Sequence, residues 1–205
     1  MANIDAAFGL RPYNMLGEGV NSNGIQKFKI QLAGTAGTSS VIYQGTPVIP
    51  LANGLIDIVG AAAGGTVPLL GAFIGCEYTD LNGTPTFTNK WPGTASVKSS
   101  TQAIAHISAN PEQLFLINCD AAATDAAVHA NANFATGTSG DTTTGISSAE
   151  LAVSTLATTN TLNLRVVGFS DSPSNSDQTA AGMLAIVLLN NHFYRYNANG
   201  TGAGI

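Results

Sequence analysis

Charge is what this chain has least of. Its 205 residues hold 7 Lys and Arg against 12 Asp and Glu, so 9% are charged, where an average soluble protein has about 25%. The cations are scattered, and the closest pair, Lys27 and Lys29, falls on one side of a strand. Binding nucleic acid by phosphate neutralisation needs clustered cations, and an anionic membrane surface needs them too. Neither partner is therefore expected. Cysteine is almost as scarce, with Cys76 and Cys119 the only two. Two thiols without a histidine at ligand spacing are too few for a zinc site. Each sits in an apolar, strand-like run, which leaves two readings open: a pair of buried free thiols, or a cross-strand disulfide that needs Cα atoms within roughly 7 Å. Long apolar runs are missing as well. The longest, Met183–Leu189, is far too short for a membrane-spanning helix. Residues 1–12 lack a basic stretch followed by an apolar one, so no export signal is expected and synthesis in a cytoplasm is.

What replaces charge is Ala, Thr, Ser, Asn and Gly, alongside a normal 44% of hydrophobic residues. A polar but nearly neutral surface is poorly protected against association. It fits a low-charge extracellular protein, or a surface covered by copies of itself or by a partner. Residues 1–24 read as an extended arm with Gly9, Pro12, Gly17, Gly19 and Gly24 at its bends. The arm carries apolar anchors at Phe8, Leu10, Tyr13, Met15 and Leu16, which a free tail usually lacks. They pack either on their own domain or on a neighbouring subunit.

From residue 25 the pattern is that of strands. Phe28, Ile30 and Leu32 alternate with Lys27, Lys29 and Gln31. Val48–Leu51 and Leu55–Val59 flank Asn53-Gly54, the pair that a type I′ hairpin turn favours. A small-residue loop over 61–66 leads to an apolar strand over 67–79, where Gly71 and Gly75 mark bulges or close backbone approach. A second Asn-Gly, at 82–83, turns into Thr84–Thr88. Further strands are expected over 97–108, 113–118, 149–154, 161–170 and 183–194, the last apolar throughout and so buried on both faces. Ala121–Ala130 reads as the one short helix, capped by Thr124. Residues 33–40 and 134–147 read as Gly/Thr/Ser loops, 171–179 as a polar loop, and 197–205 as a flexible tail. About ten short strands joined by turns predict an all-β fold, a β-barrel or β-sandwich. Its body spans 25–196, with the extended N-terminal arm and at most one short helix. No repeat of fixed period points to a solenoid or propeller.

Patterns that carry chemistry fail one after another. Gly60–Gly65 has the glycines of a phosphate loop but no lysine, and no Gly-x-Ser-x-Gly elbow occurs. His106, His129 and His192 lie far apart along the chain and make no local metal pair. A Ser/His/Asp triad assembles from distant residues and is left to the fold. Glu77 and Asp80 enter the second Asn-Gly turn, where they shape the turn and keep an edge soluble. Residues 171–177 supply oxygens without the closing Glu of a calcium loop. The expectation is no catalytic residue, no metal and no cofactor. Tyr78, Trp91, Phe193, Tyr194 and Tyr196 form the one set that would serve a glycan-binding surface if exposed. The other reading of them is core and interface packing.

Three stretches resemble a known family. They are Ala7-Phe8-Gly9-Leu10-Arg11-Pro12, Gly75–Pro85 followed by Trp91-Pro92-Gly93, and Asn191-His192-Phe193-Tyr194. Together they are similar to small virion structural proteins of tailed, particularly marine, bacteriophages, associated with capsid decoration or cement. The resemblance implies a non-enzymatic protein on the outer surface of an icosahedral head, made in the host cytoplasm. Its partners would be the major capsid protein and copies of itself, often as a trimer. The family offers no catalytic residues. We assign the capsid or subunit contact to Phe8, Gly9, Leu10, Arg11 and Pro12, with the adjoining Tyr13. Few charges around Trp91 and a high Ala/Thr/Ser content depart from the family's pattern. A tail, fibre or adhesin module is the alternative. A major capsid protein is not expected, since its common shell fold needs a long spine helix and no segment here exceeds a dozen helix-compatible residues.

Overall fold

The two Asn-Gly turns organise one of the two sheets. The computed structural model describes residues 3–17, 24–30, 41–59, 67–98, 101–136 and 139–195. Within it, Asn53-Gly54 joins β3 (Pro47–Pro50) to β4 (Ile56–Ile58), with Val48 opposite Ile58 and Gly54 at φ 78°. Asn82-Gly83 joins β5 (Gly71–Thr79) to β6 (Pro85–Thr88), and the Asp80 carboxylate accepts from the Asn82 and Thr84 amides at 2.9 and 2.8 Å. That is the turn-shaping role expected of Asp80. β2 (Ile25–Lys29) and β7 (Ile104–Ser108) complete this sheet in the order β2-β7-β5-β3-β4, with β6 on β5. The β5–β7 register slips between Phe73 and Gly75, so the bulge expected at Gly75 is present.

The second sheet runs β1 (Arg11–Met15), β8 (Gln113–Asn118), β12 (Leu184–Leu189), β11 (Leu164–Phe169), β9 (Asn131–Phe134), β10 (Leu151–Ala157). Among the described residues, twelve strands form two six-stranded sheets whose strand pairs are all antiparallel. The chain is thus all-β, a sandwich, as the alternation of its residues predicts.

Two apolar cores follow from the period of two. Phe115 and Ile117, Leu164 and Val166, and Ala185, Val187 and Leu189 share one face of the second sheet and meet Leu10, Val59, Leu69 and Ala72. Val48, Ile56, Phe73, Ala105, Ile107 and Trp91 build the other core. Cys119 belongs to the first and Cys76 to the second, both buried and free. The disulfide reading is therefore not realised.

Expectations change at the helix, at the loop from Phe134 and at the last strand. The helix over 121–130 shrinks to one 3-10 turn, Asp125–Ala127, and Thr124 makes no side-chain cap. The reason is competition: His129 N–H donates to Val166 O and Ala130 O accepts from Val166 N–H, so β11 recruits the backbone that would have continued the helix. The loop expected from Phe134 gives up its first residue to β9. The last strand stops at Leu189, where the Asn190 side-chain amide turns to the carbonyls of Asn160 and Leu162. Of the two readings of the arm, its described residues 3–17 take the first and lie on their own body, where β1 pairs with β8 through Arg11 opposite Leu116. Residues 33–40, 61–66 and 197–205, with Leu32, Gln31 and Tyr196, fall outside the described residues.

Sheet edges carry protective features despite the shortage of charge. β2 spends Lys27 and Lys29 on one edge. β1 has Pro12 and a register slip between Pro12 and Asn14, β6 opens with Pro85, and β10 slips between Ala152 and Ala157. Prolines, lysines and bulges at edges all discourage strand-to-strand aggregation.

Candidate functional site

The proposed contact residues divide into anchors and surface. Gly9 and Leu10 are buried in their own chain. Gly9 N–H donates to Ala149 O at 3.2 Å and Leu10 N–H to Gly45 O at 2.8 Å. These two residues hold the segment down: Gly9 presents no surface, which corrects its assignment as a contact, and Leu10, 1% exposed, reaches only the lining of a cleft. Phe8 and Pro12 are half-buried, Arg11 is exposed, and Tyr13 is 48% exposed.

Glycine is required at both partners of this junction. Gly9 (φ 71°) and Gly45 (φ 87°) lie backbone to backbone, and a Cβ on Gly45 would stand 2.6 Å from Phe8 O. Side chains at such positions are strained in φ and excluded by contact. Further upstream, the Asn3 side chain donates to the carbonyls of Asp177, Ala180 and Ala181 and accepts from Asp177 N–H. Asn175 adds a bond to Ile4 O. The polar loop over 171–179 thus uses its oxygens and amides to hold the N-terminal segment.

Where the segment crosses the Gln44–Gly45 turn, it leaves a half-open cleft of about 260 Å³. Leu10, Ile74 and Ile146 line it with aliphatic side chains, and Phe8, Arg11 and Pro12 of the segment line it as well. The Arg11 guanidinium carbon sits 4.1 Å from the Phe8 ring centroid, a cation–π contact that holds the cation at the mouth. Gln44, Gly45, Ile74 and Ile146 carried no sequence signal, since only the fold brings them to the arm.

Titratable groups converge most closely at Glu77, on β5. Lys27 Nζ lies 2.9 Å and His106 Nε2 3.9 Å from its Oε1. The hydrogen bond from Lys27, above all, holds the Glu77 carboxyl below its ordinary range. This is a solvated rung across β2, β7 and β5. His192 is 2% exposed, its Nδ1 accepts from Tyr194 N–H at 3.1 Å, and burial, then the Arg195 cation, lowers its pKa to about 4. His129 stands at φ 72° in the turn before β9. Among the described residues no three His, Cys, Asp or Glu side chains are placed to share a metal ion.

The aromatic set is mostly interior. Trp91 is fully buried and meets Tyr78 edge to face at 5.6 Å, and Phe193 packs on the same core. Among the described candidates Tyr194 is 48% exposed, and Tyr78 and Phe193 are half-buried. Exposed apolar groups appear elsewhere: Phe87 on edge strand β6 is 72% exposed, and Leu81 at the tip of the same hairpin 64%. Comparison with protein-family models, with curated proteins and with solved structures finds no match.

Proposed function

We propose that this protein is a decoration, or cement, component of an icosahedral bacteriophage head, acting by association with the major capsid protein and with copies of itself. The observation that carries the reading is the surface. Phe87 and Leu81 stand exposed on one hairpin in a chain with 19 charged side chains, 7 basic and 12 acidic. Large apolar side chains on a charge-poor surface mark places that another protein covers. The resemblance of residues 7–12, 75–85 with 91–93, and 191–194 to small phage virion proteins names the kind of partner. A rigid sandwich suits the task, because a clamp across capsid subunits gains from parts that lose little freedom on binding.

The test mixes purified protein with preformed heads of the same phage that lack it. Co-sedimentation with the heads, together with a higher temperature of head disruption, is the expected result. Protein that stays in the supernatant and leaves the disruption temperature unchanged overturns the reading.

A further inference from the structure

We propose that the cleft beneath Phe8 and Arg11 is a socket for one apolar side chain of a neighbouring protein chain, with a carboxylate of that same chain paired to Arg11. This deepens the cement reading and rests on it for the nature of the partner.

Four observations carry the proposal. The first is size. A half-open space of about 260 Å³ suits one side chain whose backbone stays outside, and falls below the range of about 300–1,000 Å³ that encloses small ligands. The second is rigidity. Leu10 N–H donates to Gly45 O, Gly45 N–H to Phe73 O, and Ser147 N–H to Gln44 O, at 2.8, 2.7 and 2.9 Å. The wall backbone is therefore tied to the body before any partner arrives, which lowers the entropic cost of binding.

The third observation is charge. Arg11 rests one face on Phe8, and among the described residues no carboxylate pairs with it. Lys27 and Arg195, by contrast, hold Glu77 and Glu112. A guanidinium fixed by an aromatic ring keeps its donor edge for a carboxylate, which it binds through two parallel hydrogen bonds. The fourth is the neighbouring edge. Pro12 and the register slip after it obstruct strand addition to β1, so a partner here docks by side chains.

The probe is the capped dipeptide N-acetyl-leucyl-glutamate amide, titrated into protein carrying 13C-labelled isoleucine methyls. The glutamine analogue and hexanoate serve as separate arms. Saturable shifts of the Ile74 and Ile146 methyls are expected, with affinity reduced about tenfold by the glutamine analogue or by Arg11→Gln, the loss of one charge-assisted pair. Methyls that stay fixed throughout overturn the socket. Hexanoate binding more tightly than the dipeptide also overturns it, in favour of a small carboxylic acid as ligand.

A second arm measures head binding by Arg11→Gln and by Ile146→Asp, which puts a charge in the apolar lining that the partner's side chain would meet. Weakened binding at unchanged melting temperature supports the socket. Unchanged binding overturns it while leaving the cement reading intact. Absence of head binding by the unaltered protein counts against the cement reading, and the dipeptide titration still decides the socket.

Discussion

Replacing Gly45 by alanine separates the two reasons for glycine at the arm junction. The first is conformational. At φ 87° an L-residue in the left-handed region costs about 1–2 kcal/mol. The second is contact: the new Cβ would stand 2.6 Å from Phe8 O and 3.2 Å from both Gly9 Cα and Leu10 N. Those atoms are backbone, so the whole segment must move and the Leu10 N–H bond to Gly45 O weakens. Losing such a bond costs about 1 kcal/mol, and Leu10 also withdraws from the core. The expected destabilisation is about 3 kcal/mol, a fall of roughly 6–12 °C in melting temperature for a chain of this size. Gly54→Ala is the matched control. Its φ is 78° but nothing lies within 4 Å of the added carbon, so only the conformational cost of about 1 kcal/mol remains, or roughly 2–4 °C. Thermal and urea denaturation of the two variants measure the difference. Equal losses would refute the claim that backbone contact, and not φ, makes Gly45 indispensable.

The remaining predictions concern the interior. His192 stays neutral when folded down to about pH 4, whereas the unfolded chain takes up its proton near 6.5. Its contribution is thus whole above pH 6.5 and is lost as the pH falls towards 4, by up to about 3 kcal/mol; His192→Gln should flatten the stability curve over that interval, and parallel curves for the two proteins would contradict the assignment. Burial pushes the Cys76 and Cys119 thiols up to about 12. Alkylation at pH 8 should therefore be slow in folded protein and fast in urea, because the thiolate is the reacting form; rapid labelling of the folded chain would refute the burial argument. Phe115, fully buried in the first core, should cost about 3–5 kcal/mol as Phe115→Ala, and a loss below 1 kcal/mol in chemical denaturation would mean that the two sheets do not meet there.

Where the fold was legible in advance, the signal was local. Asn53-Gly54 and Asn82-Gly83 are turns because Gly54 and Gly83 take positive φ, at 78° and 87°; Asn53 and Asn82 do not, so neither turn is the type I′ expected of the pair. Gln113–Asn118 and Thr161–Ser170 read as strands because β-branched and large apolar residues recur where a pleated surface has a buried face, and the structure keeps Gln113–Asn118 and Leu164–Phe169. Asn131–Phe134 gave no such signal: its sequence is two asparagines, an alanine and a phenylalanine, and it is a strand because β10 and β11 pair with it on either side. Ala121–Ala130 erred the other way, since alanine favours helix only until a sheet offers the same backbone groups better-placed partners. At the candidate site, Phe8–Tyr13 could be marked as a segment with apolar anchors. That Gly9 and Leu10 were its buried half, and that Ile74 and Ile146 formed the wall opposite, could not.

By itself, the sequence determined the class of the molecule: alternating apolar residues, paired Asn-Gly turns and a shortage of helix-forming stretches leave sheets as the way to bury its core, and a shortage of charge makes its surface neutral. The tertiary structure alone decided which strands became neighbours, that the N-terminal segment lay on its own body, and that a cleft opened beneath Arg11. Alternation and turn geometry depend on a few consecutive residues. Strand order and clefts depend on contacts between residues far apart in the chain, whose energies appear only after the intervening loops have closed.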